Sequence, residues 1–391
     1  MREAQFRSDA PGKLVQATDA RGATGLAFVP DDLPPRQLDL SGRDLRLALS
    51  EADQALARLD GIARQIERPD MLFSSYLRRE AMLSSAIEGT HTTLADLALF
   101  ELTQKGRRID DVHVSNYVTA FELGRERVRD LSVGRTLLNE LHGVLMAASP
   151  QEDIRPGRFR DCIVYIGSPP FEAARFVPPP EYFVSDLMDN LEHFLDSQDE
   201  APLIKLALSH YQFETIHPYR DGNGRLGRML ISLWLQRAGI LTAPMLYLSA
   251  YFERNKQEYY DALLRVSTDG DWEGWLLFFL RGVAQQSRDA AKRTDLLAKL
   301  RTEYRSRVAG PRVSEGVMRL IDDLFVVPAI SVPSARKLLG VTPKPARASI
   351  QRLVDAGIVW KDETPYQNVV YYLANELIEL TSKPLGDDSK T

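Results

Sequence analysis

Twelve residues near the middle of the chain, from 217 to 228, constrain its fold more than any other stretch. They read His-Pro-Tyr-Arg-Asp-Gly-Asn-Gly-Arg-Leu-Gly-Arg. Gly222 and Gly224 leave the backbone bare, so their amides can approach an anionic oxygen closely. The apolar residues that follow recur at helical spacing, which predicts a tight turn leading into a helix. An anion held by this turn lies at the N-terminus of a helix, where N–H groups and the helix dipole favour negative charge.

The polar side chains of this run fit a nucleoside triphosphate. Arg225 and Arg228 are three residues apart and share one helical face, where planar guanidinium groups can grip phosphate oxygens. A free imidazole titrates near neutral pH, so His217 can serve as a base, and Asp221 offers the oxygen ligands that Mg²⁺ prefers. The alternative interpretation is a glycine turn that caps a helix beside a surface histidine.

The run resembles the signature of the Fic family of protein adenylyltransferases, His-x-Phe-x-Asp/Glu-Gly-Asn-Gly-Arg-x-x-Arg. Tyr219 is the one departure, and because it keeps an aromatic ring we expect it to pack the loop. The resemblance implies transfer of AMP from ATP to a Ser, Thr or Tyr hydroxyl of a protein, including the chain itself. It makes His217 the general base and Asp221 the ligand of Mg²⁺.

The same resemblance distributes the phosphates of ATP over the rest of the run. Asn223 and the amides of Gly222 and Gly224 are expected to stabilise the α-phosphate. Arg225 and Arg228 are expected to bind the β- and γ-phosphates of the leaving pyrophosphate.

Three residues outside the run are candidates for the adenine pocket: Gln212, Tyr251 and Tyr259. The two tyrosines follow the motif, in the segment where Fic proteins build that pocket. Aromatic residues at such spacing are also common in a protein core, and both interpretations stay open. We expect His142 and His210 to support the fold or orient the loop rather than to take part in chemistry.

A second motif lies upstream, where Ser84-Ser85-Ala86-Ile87-Glu88-Gly89 matches the Fic inhibitory pattern Ser/Thr-x-x-x-Glu-Gly/Asn. Glu88 stands in the last turn before a C-terminal glycine, where the helix dipole disfavours a carboxylate by roughly 0.3 to 1 kcal/mol. The resemblance implies that Arg228 compensates, so that the pair denies this arginine to the γ-phosphate. The alternative is an exposed surface glutamate.

The periodicity predicts a mainly α fold with an N-terminal helical segment. The resemblance implies a Fic helical core with a β-hairpin flap, and the order of the last elements resembles a C-terminal winged helix-turn-helix. We predict four parts: an N-terminal arm and helices carrying the inhibitory motif (1–110), the Fic catalytic core (111–285), a connecting helix (286–309) and the winged-helix domain (310–391). Prolines make the first 40 residues an irregular arm. The helices are predicted at 45–66, 69–89, 112–127, 134–147, 183–196, 201–215, 225–239 and 283–308.

Residues 158–177 are rich in β-branched and aromatic side chains, which predicts a strand or hairpin. The Fic resemblance implies a flap over the active site that clamps an extended segment of the target through backbone hydrogen bonds. An unrelated surface hairpin is the alternative.

The predicted winged helix comprises a helical face at 317–324, helices at 332–339 and 342–356, and strands at 358–360 and 369–373 around a polar turn. We expect the connecting helix to hold this domain apart. Lys344, Arg347 and Ser349 fall on its recognition helix, but residues 311–373 carry eight Lys and Arg against six Asp and Glu. This surplus is weak for DNA binding, so DNA and a docked protein both stay candidates.

The net charge, the cysteine count and the lengths of the apolar runs limit the kinds of partner that the chain is expected to bind. A net charge of −5 and a pI near 5.8 argue against a chain that coats nucleic acid or an anionic membrane. Cys162 is the single cysteine, which excludes an intramolecular disulfide and suits a cytoplasmic protein. No apolar run is long enough to span a membrane. The expected partners are therefore ATP, a hydroxyl-bearing target protein and the chain itself, with DNA and a homodimer as further candidates.

Two rival functions stay open. Some Fic proteins with the inhibitory motif remove AMP from the same target, with the glutamate orienting the attacking water. The rival from another class is a DNA-binding regulator whose Fic core senses a nucleotide.

Overall fold

A computed structural model describes residues 3–66, 69–103, 108–147, 152–168, 171, 173–310, 314–362 and 369–385. Its fold is mainly helical, as predicted. The helices are α1 (Arg43–Gln65), α2 (Pro69–Ile87), α3 (Leu94–Thr103), α4 (Ile109–Arg127), α5 (Arg135–Leu145), α6 (Glu181–Asp196), α7 (Pro202–Ile216), α8 (Asn223–Arg237), α9 (Ser249–Arg254), α10 (Lys256–Asp269), α11 (Trp272–Val308), α12 (Glu315–Leu324), α13 (Val332–Leu339), α14 (Pro343–Asp355) and α15 (Asn375–Ser382). The strands are β1 (Gly12–Thr18), β2 (Thr24–Pro30), β3 (Ile166–Gly167), β4 (Ala174–Phe176), β5 (Ala329–Ser331), β6 (Trp360–Lys361) and β7 (Tyr371–Leu373). None of these described helices has the length and apolar character needed to cross a bilayer.

The chain forms two compact units, each built from two segments. One comprises Met1–Asp60 and Asn116–Ser287, and the other comprises Gly61–Ser115 and Arg288–Thr391. This division differs from the predicted order of four domains along the sequence. The predicted boundaries at 110 and 285 fall within the continuous helices α4 and α11. The inhibitory motif therefore shares a unit with the C-terminal elements.

Helix α7 forms the centre of the first unit and packs against α6 and α8. It begins with Pro202 in its first turn, and 13 of its 15 residues are buried. A helix that is apolar on nearly all sides must lie in the core. A Cβ on Gly227 of α8 would lie 2.9 Å from the Phe213 ring and 2.4 Å from a Glu214 carboxylate oxygen, so glycine is needed where α8 approaches α7. Helix α7 ends at Ile216, which places His217 at the edge of the core.

The N-terminal 40 residues are not the irregular arm that we predicted. Strands β1 and β2 form an antiparallel hairpin, with Gly12 opposite Pro30 and Thr18 opposite Thr24. The carboxylate of Asp19 accepts 2.9 Å hydrogen bonds from two backbone N–H groups of the turn. Pro11 and Pro30 stand at the ends of a strand pair, where they do not interrupt its pairing. The missed signal is the apolar run from Leu26 to Val29, which is typical of a strand.

The second hairpin lies within the predicted flap. Ile166 of β3 pairs with Phe176 of β4, while residues 169, 170 and 172 lie outside the described part of the chain. The flap packs against the N-terminal hairpin, and the Phe28 N–H donates to the Val177 carbonyl over 3.0 Å. Their shared apolar cluster contains Ala17, Ala27, Ile163, Phe171, Ala174 and Val177.

The C-terminal elements occur in the predicted order, with two additions, β5 and α15. Helices α12, α13 and α14 agree with the predicted helices within two residues, and β6 and β7 follow them. The sheet has the order β5-β7-β6 and is antiparallel, and β5 was not anticipated. The predicted polar turn before β7 falls on residues 363–368, outside the described residues. This order is compatible with a winged helix, and that assignment stays a prediction.

Within the second unit, the C-terminal elements pack directly on the helices α2 and α3, which precede the predicted catalytic core. Helix α15 contacts both α2 and α3, and α3 contacts β5. The Ser75 hydroxyl of α2 donates to the Phe325 carbonyl over 2.8 Å, and the Tyr76 hydroxyl donates to the Ala290 carbonyl over 2.7 Å. Helix α11 also contacts α2 in this unit, and the expectation that it holds the C-terminal domain apart from the predicted catalytic core stays a prediction.

Candidate active site

His217 has an unusual backbone conformation at the end of α7. Among the described residues, it and Arg155 are the non-glycine residues with positive φ, and His217 has φ 51° and ψ 60°. Its N–H donates to the Phe213 carbonyl over 3.0 Å, and its ring Nδ1 lies 3.2 Å from the Glu214 carbonyl oxygen. A carbonyl only accepts, so Nδ1 carries the hydrogen. The neutral ring then has its lone pair on Nε2, the atom that can take up a proton.

His142 holds the loop after His217 from the α5 side. Its Nδ1 accepts the Gly157 N–H over 2.9 Å, so its Nε2 must donate to the Asp221 carbonyl over 3.0 Å. Its ring stacks on Tyr219 with centroids 3.8 Å apart. Burial lowers the pKa of His142 to about 4, which keeps the ring neutral near pH 7. The expected role in orienting the loop is the one that the structure shows.

The departure of Tyr219 from the motif is accommodated by one neighbour. The ring is fully buried, and its hydroxyl donates to Asn139 Oδ1 over 2.9 Å. Burial raises the pKa of this phenol well above its usual value, so it stays protonated. The aromatic ring packs the loop as predicted.

Asn223 closes the loop upon itself. Its Oδ1 accepts the Tyr219 N–H and its Nδ2 donates to the Tyr219 carbonyl, both over 2.8 Å. Gly222 precedes it with φ 80°, and a Cβ there would lie 2.8 Å from Met146 Sδ. Only glycine suits this position, and α8 begins immediately after it. The structure thus gives Asn223 a loop-closing role, and its contact with the α-phosphate stays a prediction.

Asp221 presents its carboxylate at the surface of the loop. The side chain is 51% exposed, and its Oδ1 accepts the Gly222 N–H over 2.6 Å. Arg225 Nη2 lies 3.6 Å from the same oxygen. One exposed carboxylate beside the start of a helix suits a Mg²⁺ ion that is also bound by phosphates. This ion usually takes only one or two protein carboxylates and keeps several water ligands.

The two motif arginines lie inside the protein at the start of α8. Arg225 is 5% exposed and Arg228 is 2% exposed. Arg225 Nη2 contacts Met146 Sδ at 3.4 Å, and its Nε has no hydrogen-bond partner among the described residues. A buried donor without a partner is costly, so a ligand oxygen at Nε would remove a real penalty.

The adenine candidates take different positions. Tyr259 is 1% exposed, stacks on Phe252 at 4.4 Å and bonds His210 through its hydroxyl at 2.8 Å. This favours the core role that the sequence also allowed. Gln212 is buried and donates to the Asp31 carbonyl over 2.9 Å, and Tyr251 is half-buried. Adenine contacts by these three residues stay predictions.

The inhibitory motif ends α2 as expected. Ser84 is fully buried, Glu88 is exposed and follows the last helical residue, and Gly89 has φ 85°. A left-handed glycine at this place is a common helix end. The pairing of Glu88 with Arg228 stays a prediction, as does the alternative of a surface glutamate.

Sequence reasoning missed Arg160. It is 3% exposed, and its Nε donates to the His217 carbonyl over 2.8 Å. No local pattern could have identified its contact with the histidine loop, because the His217 and Ile216 carbonyls lie more than 50 residues away.

Comparisons with known proteins agree with this geometry. Residues 46–126 match the family described as Fic/DOC family N-terminal, and residues 132–235 match the Fic/DOC family. The chain is 29% identical over 248 residues to a protein adenylyltransferase Fic of Drosophila virilis, which covers 60% of the chain and 44% of that relative. It is 35% identical over 158 residues to the protein adenylyltransferase fic-1 of Caenorhabditis elegans, covering 39% and 27%. The chain thus spans less than half the length of these relatives.

Solved structures share the fold. A Fic family protein from Desulfovibrio desulfuricans matches with a TM-score of 0.57 at 23% identity, over 87% of this chain and 98% of its own. A Fic domain containing signaling protein from Bacteroides thetaiotaomicron matches with a TM-score of 0.51 at 16% identity, over 64% and 97%. At these identities the likeness concerns the fold alone.

Proposed function

Because the chain belongs to the Fic/DOC family, we propose that it is a protein adenylyltransferase, which transfers AMP from ATP to a Ser, Thr or Tyr hydroxyl of a protein, itself included. The observation that supports this most directly is the state of His217. Its Nδ1–H is engaged by the Glu214 carbonyl, so the neutral ring offers Nε2 as a base on the loop that leads into α8. A base next to an anion-binding helix end is what hydroxyl activation on a nucleotide requires.

In the proposed reaction His217 Nε2 takes the proton of the target hydroxyl as its oxygen attacks the α-phosphorus. The new P–O bond forms while the bond from the α-phosphorus to the bridging oxygen breaks, and pyrophosphate leaves. Negative charge develops on the phosphate oxygens during this step. The N–H groups at the start of α8 and the buried guanidinium of Arg225 are the fixed donors that would stabilise it. Donors that need no rearrangement are the most effective at stabilising developing charge.

Asp221 is the residue that would hold Mg²⁺. When bound, this ion would neutralise charge on the triphosphate and orient it. Among the described residues no cluster of three His, Cys, Asp or Glu side chains is placed to hold a metal ion. Asp221→Ala should therefore abolish the stimulation by Mg²⁺ while the chain stays folded.

Two labels separate the proposed transfer from other chemistry. ATP labelled at the α-phosphate should label protein, whereas ATP labelled at the γ-phosphate should not. Label from the γ-phosphate would indicate a kinase and contradict the proposal. His217→Ala should lower labelling by roughly 10² to 10⁴ with ATP binding retained. His193→Ala is the matched control, because His193 is exposed on α6.

Removal of AMP is the rival reaction at the same site. Its support is the inhibitory motif, whose Glu88 carboxylate is exposed and could orient an attacking water. Loading the target with labelled AMP and following its release by the chain tests this. Release that depends on both Glu88 and His217 would favour the rival.

The C-terminal elements offer a second partner surface. Lys344 and Arg347 are exposed on α14, the predicted recognition helix, and Trp360 of β6 is 41% exposed. If DNA binds here, Lys344→Ala and Arg347→Ala should each flatten the salt dependence by up to about one unit of slope. A duplex that fails to bind at low salt would leave protein docking as the surviving role.

A further inference from the structure

Arg160 contacts three consecutive peptide units at the end of α7. Its backbone N–H donates to the Pro218 carbonyl over 2.9 Å, its Nε to the His217 carbonyl over 2.8 Å, and its Nη2 to the Ile216 carbonyl over 3.2 Å. The last carbonyls of a helix have no partner within the helix. One residue therefore satisfies the groups on both sides of the predicted base.

These contacts fix a backbone that has alternatives. The left-handed conformation of His217 is unfavourable for a residue with a Cβ and persists only where its surroundings enforce it. The Nδ1 bond to the Glu214 carbonyl is made with the ring carried in this conformation. Arg160 therefore influences which nitrogen of the His217 ring carries the proton, although its described bonds go to the backbone and not to that ring.

The same guanidinium reaches both ends of the flap. Nη1 donates to the Cys162 carbonyl over 2.9 Å and Nη2 to the Pro179 carbonyl. Cys162 precedes β3 and Pro179 follows β4, so the two roots of the hairpin and the histidine loop share one side chain. A change in the position of the flap must alter the bonds that hold His217.

Only arginine supplies this set of bonds. All of the described hydrogen-bond partners of its guanidinium are backbone carbonyls, and burial lowers its pKa to about 10, so the group stays charged near pH 7. Its planar fork presents five N–H donors in fixed directions, whereas lysine offers three from a single atom. The carbonyl dipoles of the loop that carries His217 compensate for the burial of the Arg160 charge.

We propose that Arg160 is a positioning residue for AMP transfer, which holds the backbone of His217 and joins it to both roots of the flap. The activity part of this inference rests on the proposed function. Base and flap then keep one relative position, so a target strand on the flap meets a base that is already in place. Misplacing a catalytic group by about 1 Å can lower a rate by roughly 10²-fold.

The test uses Arg160→Lys in the full chain, which keeps the charge but not the fork. We expect kcat for AMP transfer to fall at least about 10-fold, while KM for ATP changes less than about twofold. Arg160→Ala should fall further and regain activity when free guanidinium is added below denaturing concentrations. The matched control is Arg158→Lys, because Arg158 is exposed in the same segment. Equal losses in both lysine variants, or unchanged kcat in Arg160→Lys, would overturn the proposal.

A second readout does not depend on activity. Nitrogen chemical shifts of the His217 ring should show Nδ1–H in the unaltered chain and a mixture of tautomers in Arg160→Lys. An unchanged tautomer in a folded Arg160→Lys variant contradicts the inference, whatever its rate. If the unaltered chain transfers no AMP, the proposed function fails, and these shifts still decide the role of Arg160. If Arg160→Ala does not fold, Arg160→Lys decides alone.

Discussion

The Nε2–H of His142 donates to the Asp221 carbonyl across 3.0 Å, so a buried neutral imidazole holds the loop that carries the predicted metal ligand. This bond and the one that His142 accepts at Nδ1 require one tautomer of an uncharged ring. Protonating the ring would place a hydrogen on Nδ1 against the Gly157 N–H. The loop is therefore sensitive to acid through a residue that does no chemistry.

The first prediction concerns the free energy of unfolding below pH 6.5. His142 keeps a pKa of about 4 in the folded chain against about 6.5 when unfolded, so only the unfolded state takes up its proton between these values. The stabilisation is complete above pH 6.5 and is lost as pH falls to 4, by at most about 1.4 kcal/mol per pH unit for this group. His210, whose pKa burial lowers to about 3, adds to the same trend.

Denaturant unfolding at pH 7 and pH 5 measures this dependence. His142→Gln should be less stable at pH 7 and lose less on acidification, because the titrating group is gone. His193→Gln is the control, since this histidine is exposed. An unchanged pH dependence in His142→Gln would rule out the assignment.

Tyr219→Phe restores the residue of the family motif and removes one hydroxyl. Asn139 Oδ1 then loses a 2.9 Å hydrogen bond, which should cost about 1 kcal/mol of unfolding free energy. The rate of AMP transfer should stay within about twofold, because the ring and its stack on His142 are kept. A double-mutant cycle with Asn139→Ala should show positive coupling; additive effects would mean that the contact contributes nothing.

The helical core could be predicted because its signal is local. The apolar spacing along α7 and α8 and the glycines before α8 determine helix, turn and buried face within about 30 residues of sequence. Arg160 could not be predicted in the same way. The His217 and Ile216 carbonyls to which it donates are distant in sequence and come close to it only in the folded chain. Tyr259 shows a related limit, because the same spacing of aromatic residues along the sequence occurs in the wall of an adenine pocket and in a protein core.

The two compact units also differ from the four predicted domains for a physical reason. Sequence order suggests that residues 310–391 form a separate end of the chain, yet α15 packs on α2. No residue beyond Gly310 belongs to the 217–228 run, so the sequence alone predicts that a chain ending near Arg307 keeps self-modification in the Glu88→Gly background. The structure changes this expectation, because such a truncation removes the Phe325 carbonyl that accepts the Ser75 hydroxyl and uncovers the helix with the inhibitory motif.

Gly25→Ala should loosen the flap. A Cβ at this position would lie 2.3 Å from the Phe171 ring and 2.6 Å from the Phe171 Cβ, so the ring must leave the cluster that joins the two hairpins. We expect a loss of about 1–3 kcal/mol in stability and earlier proteolysis within 158–177. Gly61→Ala is the control, since nothing lies within 4 Å of an added Cβ there. The clash should vanish in a Phe171→Ala background, and a cost that persists there would contradict the mechanism.

Glu88→Gly is expected to raise labelling of the chain and of its target. The change frees Arg228 for the γ-phosphate if the inhibitory pairing exists, and it removes no residue of the 217–228 run. Glu126→Gly is the matched control, because it also removes an exposed carboxylate from the last turn of a helix. Activation by both variants would reflect loosened helix ends rather than a specific brake.

The double variant Glu88→Gly with Arg228→Ala decides how the glutamate acts. If Glu88 inhibits through this arginine, the double variant has nothing to release, and its labelling should match that of Arg228→Ala alone. Activation in the double variant would assign the glutamate a different partner. Lower labelling in Glu88→Gly, together with slower release of AMP from a loaded target, would instead favour the reaction that removes AMP, because the glutamate would then be needed to orient the attacking water.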